Sequence, residues 1–167
     1  MPTCAPVGRT AVISSLALVL ALSVTPVAAF NAKSSSGVNV TSLGLALRGH
    51  DPMAYFTLGK PMIGKPEFVA RHDGADYRFA SADHRDAFLK EPSRYVPQYG
   101  GFCAYAAGHG YKADADPKVW KIVNGRLFVN YNAAVGRSWA ESAKPLIVKG
   151  DANWPAIKGQ APDALGR

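Results

Sequence analysis

The sequence is poor in cysteine. Only Cys4 and Cys103 occur in 167 residues. No C-x-x-C or H-x-x-x-H pair is present, which argues against a closed structural zinc site, and the absence of C-x-x-C-H removes covalently attached c-type haem. No nucleotide cofactor is expected either. Basic residues are interleaved with acidic ones and form no run, so the formal charge of +7 does not describe a nucleic-acid arm, and no nucleic-acid partner is expected. Self-similarity at 20–50 residues and coiled-coil heptads are not visible. After residue 30 no apolar stretch is long enough to span a bilayer, so no stable membrane span is expected.

The long apolar run that does exist is at the start. Residues 1–29 carry a single charge, Arg9. The run from Ala11 to Leu22 is followed by Pro26 and then by small residues, Val27-Ala28-Ala29. A charged start, a short apolar middle and a small-residue end compose a secretory signal peptide with cleavage before Phe30. The expected product is periplasmic or secreted, with 18 basic against 12 acidic residues, a charge of +6. Cleavage would remove Cys4 and leave Cys103 as a lone thiol in a compartment that favours disulfides. Such a thiol is buried, metal-bound, chemically active or paired with another chain.

Hydrophobic residues at 48% and charged residues at 19% suffice for one packed domain. Residues 30–43 are rich in Ser, Asn and Gly and read as a flexible leader, 44–156 as the domain, and 157–167 as a C-terminal tail. Asp51 is a suitable N-cap and Pro52 a suitable first residue for a short helix carrying Met53, Tyr55 and Phe56. Phe68–His72 and Asp76–Ala80 read as strands joined through Gly74. Ser81 begins a helix over 82–90. Asn124-Gly125 between Val119–Val123 and Arg126–Tyr131 marks a second hairpin. Asn132 begins a last helix with Val135, Trp139, Ala143 and Leu146 on one face, stopped or kinked at Pro145. Two hairpins and separated helices predict a small single-domain α+β fold.

Three segments carry a resemblance. Gly49–Phe56 (GHDPMAYF), Tyr77–His84 (YRFASADH) with Phe88 and Pro92–Tyr95, and Tyr99–Tyr105 (YGGFCAY) with Val119–Leu127 and Asp151–Pro155 resemble the YHS domain family, in its exported bacterial branch. The resemblance implies a YHS-like fold and association with a metal, because short members carry metal-linked cysteines. Those thiol positions fall here on Ala54, Ala80 and His84, so the short branch's site does not transfer as it stands.

Thiolate and imidazole together suit copper ahead of zinc. Cys103 is the candidate anchor, with His109, His50, Met53 and His84 as the other candidate ligands. Asp51, Tyr55, Tyr99 and Tyr105 are candidate pocket walls or supporting groups, and Asp51 is the expected acceptor for a buried phenol. A metal transporter or another exported protein would be the partner. Two alternatives stay open. Cys103 could serve thiol-dependent redox or catalytic chemistry, or be a small buried hydrophobe inside a non-metal binding module.

Overall fold

A computed structural model describes residue 1 and residues 30–166. The expected signal peptide, with Cys4 and Arg9, lies outside the described residues apart from Met1. The rest is a small α+β domain of six α-helices and two separate antiparallel hairpins. No helix among the described residues is long and apolar enough to cross a membrane.

The chain traces the same plan twice. The first pass has α1 (Pro52–Thr57), β1 (Lys65–His72), β2 (Ala75–Phe79), α2 (Ala82–Lys90) and the short α3 (Pro92–Tyr95). The second has α4 (Ala104–Gly108), β3 (Asp116–Val123), β4 (Arg126–Asn130), α5 (Ala133–Glu141) and α6 (Ala143–Ile157). From Lys65 and Asp116 onward, hairpins and following helices match in length, at a constant offset of 51 residues. Both hairpins have a register shift at the same place, between Lys65 and Val69 and between Asp116 and Trp120. Both turn through a left-handed pair, Asp73-Gly74 and Asn124-Gly125. Both following helices start on a side-chain cap: Ser81 Oγ accepts from His84 N, and Asn132 Oδ1 from Val135 N. Ahead of α1 and α4, three consecutive residues are left-handed, Leu47-Arg48-Gly49 and Tyr99-Gly100-Gly101.

This doubling was not visible as a sequence repeat. Turn and cap chemistry fixes the backbone plan, while the packed side chains have diverged: the Tyr77 and Phe88 ring centroids lie 5.3 Å apart in one unit, those of Phe128 and Trp139 5.1 Å apart in the other, each pair tilted. Each unit has its own core, built around Tyr77, Phe79 and Phe88 or around Tyr99, Phe128 and Trp139. A third core joins them, where Leu47 and Tyr55 of the first unit pack with Leu127 and Val129 of the second.

Two expectations change. The last helix divides at Ser142 rather than at Pro145, giving α5 and α6. Proline lacks an N–H and its ring conflicts with the carbonyl four residues back, so Pro145 is accommodated only in the first turn of a new helix. The leader, read as flexible from composition, is tied to the domain. Asn39 N donates to Gly100 O (2.9 Å), Val38 is buried in the first core, and Asp163 N of the tail donates to Ala32 O (3.1 Å). Gly100 makes this approach possible, since a Cβ there would stand 1.9 Å from Gly37 O.

Leader and tail together form a strap over the domain, and Lys112 is at its centre. Its buried Nζ donates to Ser36 O (2.9 Å), Lys158 O (3.1 Å) and Gln160 O (2.7 Å), and lies 4.5 Å from the Phe102 ring centroid. All three ammonium protons have acceptors.

Candidate functional site

Asp51 is a buried carboxylate with three hydrogen-bond donors around it. It caps α1: Oδ1 accepts from Met53 N at 2.8 Å, while Oδ2 accepts from Ala80 N at 2.8 Å. Oδ2 also accepts from His84 Nδ1 at 2.6 Å, and the Asp51 side chain is wholly buried. His84 is the third residue of α2, fixed there by the Ser81 cap. With Nδ1 donating to the carboxylate, Nε2 becomes the outward pole of a ring held in one orientation. Thr57, the last residue of α1, brings Oγ1 to 3.2 Å from that nitrogen while also donating to Met53 O at 3.0 Å. Two short helices and the end of β2 thus assemble carboxylate, imidazole and hydroxyl in sequence. The His84 side chain is 18% exposed, so the array opens to solvent.

Of the predicted residues, the structure joins Asp51 and His84 directly, with Met53 supplying a backbone N–H. The Met53 side chain is buried in the first core. His50 is buried and its Nδ1 lies 3.0 Å from Leu47 O; burial holds its pKa below the ordinary histidine value. His109 caps the end of α4, with Nδ1 2.8 Å from Tyr105 O and its ring stacked on Tyr105 at 4.3 Å.

The phenols do not use Asp51, contrary to expectation, because two amides and an imidazole already occupy its oxygens. Tyr55 donates instead to Pro117 O (2.8 Å). Tyr99 donates to Ile147 O (3.2 Å) and to Asp151 (3.0 Å), whose carboxylate is held by Arg126. Burial is the first cause raising both phenol pKa values.

Cys103 occupies in the second unit the place of Asp51 in the first, immediately before α4. Its sulfur donates to Asn130 Oδ1 at 3.6 Å, and the same oxygen accepts from Tyr105 N at 3.0 Å. Burial pushes the thiol pKa up, while the N–H groups of Ala106, Tyr131 and Tyr105 pull it down. The amides two residues on and at the end of the hairpin therefore face a carboxylate in one unit and a sulfur in the other.

Among the described residues, no group of three or more His, Cys, Asp or Glu side chains is placed to hold a metal ion. Thr57 and Asn130 escaped sequence reasoning. Both depend on contacts across the fold, and the only sequence hint was the position of Thr57 one helical turn after Met53. Comparison with protein-family models, curated proteins and solved structures found no match to this chain.

Proposed function

We propose that this is an exported YHS-type protein that binds a transition-metal ion for transfer, copper ahead of zinc, with His84 Nε2 as the entry donor. One observation carries the reading: the 2.6 Å contact from His84 Nδ1 to a buried, amide-anchored carboxylate. A ligating histidine characteristically passes its other ring N–H to such a group, which fixes the tautomer and the orientation of the ring. Imidazole suits copper and zinc, and the Thr57 hydroxyl stands beside the open position. A site with so few protein donors is suited to exchange. Water, or a donor from a metal transporter or another exported protein, would complete the coordination. The support rests on His84, while Cys103 is engaged with Asn130 and the backbone.

The test is copper(II) titration of the mature protein by electron paramagnetic resonance, alongside His84→Gln and Cys103→Ser. Expected is one site with a nitrogen signature that His84→Gln weakens at least tenfold and Cys103→Ser leaves intact. Equal binding by wild type and His84→Gln overturns the proposal.

A second reading has its own observation. Hydroxyl, imidazole and buried carboxylate stand in the order used to activate an alcohol nucleophile, with Thr57 Oγ1 at 3.2 Å from His84 Nε2, although this reading requires the hydroxyl proton to turn from Met53 O to the imidazole. Covalent labelling by a fluorophosphonate, lost in Thr57→Val, would support it; an unlabelled wild type overturns it.

A further inference from the structure

An open groove of about 330 Å³ lies between β3 and α5, away from His84, with Lys118, Trp120, Lys121, Asn130, Arg137 and Trp139 among its walls. Three of these side chains are cationic, and none has a carboxylate within 4.0 Å among the described residues. Among the described residues five arginines are paired, Arg48 with Asp114, Arg71 with Asp76, Arg85 with Asp86, Arg94 with Glu91 and Arg126 with Asp151, whereas Lys118 and Lys121 share the lack of a carboxylate partner with the other lysines.

A second observation is independent of charge. Trp139 is 1% exposed, and its indole N–H is a buried donor with no acceptor. Such a group costs about 1–3 kcal/mol when left unmade, so its presence in a groove wall calls for an acceptor. Asn130, 2% exposed, has its side-chain oxygen already occupied by Tyr105 N and Cys103, which leaves its NH2 as the group with donors to offer. The first residue of α5, Ala133, also lines the space and brings the positive end of a nine-residue helix to it. Gly136 lets that helix lie close to β3, since a Cβ there would meet Val119 Cγ1 at 2.5 Å.

We infer that this groove is a binding site for a small organic oxyanion, one carrying a phosphate or carboxylate group. Lys118, Lys121 and Arg137 supply the countercharge, and the Trp139 indole and Asn130 amide supply directional donors. The volume is at the lower end for small-molecule sites, which limits the ligand to a few carbons beyond its charged group.

The experiment follows the three tryptophan indole N–H signals of ¹⁵N-labelled mature protein by NMR. The probes are glycerol phosphate, inorganic phosphate and acetate, each against chloride at equal ionic strength. A saturating shift of the Trp139 signal is expected. The double variant Lys121→Gln/Arg137→Gln should weaken binding roughly tenfold or more per cation lost, as expected for charge-assisted hydrogen bonds. Lys144→Gln, outside the groove, should leave it unchanged. Saturation by the phosphates alone identifies a phosphate ligand, and saturation by acetate as well identifies a general oxyanion site; both support the inference. A Trp139 signal that does not respond to any probe overturns it. So does equal affinity in the double variant, which would mark loose association of ions with the surface.

Discussion

Replacing Lys112 by Met should loosen both ends of the domain at once. The side chain is similar in length, so the change removes the ammonium while keeping much of the stem. Three hydrogen bonds disappear, to Ser36 O, Lys158 O and Gln160 O, together with the contact over the Phe102 ring. Hydrogen bonds from a charged donor contribute about 1.5–3 kcal/mol each, a gross loss of roughly 5–9 kcal/mol. Removing a buried charge gives back several kcal/mol of desolvation, so the net cost is about 2–4 kcal/mol. For a domain of this size, that corresponds to a fall in Tm of roughly 10 °C. Urea unfolding of the mature protein measures the first figure, and limited proteolysis measures release of residues 30–39 and 158–166. The pH arm has a definite sign. Burial lowers the Lys112 pKa from 10.5 to about 8. Between these values the unfolded chain binds more protons at this residue than the folded one, so its contribution to stability rises with pH across that window and is flat below it. Lys112→Met should lack this component, visible as the difference between the two pH curves. A variant within about 0.5 kcal/mol of wild type, with unchanged proteolysis, would refute the role given to the strap.

Asp51→Asn should cost about 2–4 kcal/mol, because the new amide must turn a donor toward Ala80 N, His84 Nδ1 or Met53 N; chemical denaturation checks this, and a neutral substitution would mean the carboxylate is not the organising group. Cys103 should react slowly with a thiol reagent in the native protein and at the rate of a free thiol in denaturant, since it is 2% exposed and burial raises its pKa. Fast native labelling would restore the redox reading.

Local signals were legible. Asp51-Pro52, Ser81 and Asn132 announced three helix starts, and Asp73-Gly74 and Asn124-Gly125 announced two hairpins, because a cap or left-handed turn is decided within a few residues. The docking of leader and tail was not legible: Lys112 looks like any surface lysine until three distant carbonyls converge on it. The site was half legible. His84 and Asp51 were both singled out, but their pairing depends on α2 folding back over α1, which no spacing encodes. The doubling was hidden because Phe79 and Asn130, or Ala80 and Tyr131, share a backbone position and no chemistry.

The shared third core has a consequence for how the chain can be divided. Leu47 and Tyr55 fill space left by Leu127 and Val129, so cutting between the units, near residue 97, would strand an aromatic ring on one fragment and a bare hairpin face on the other. Neither fragment should fold by itself, yet the two, mixed, have every surface needed to reassemble. Twin halves here are partners by shape, each serving as the other's missing layer.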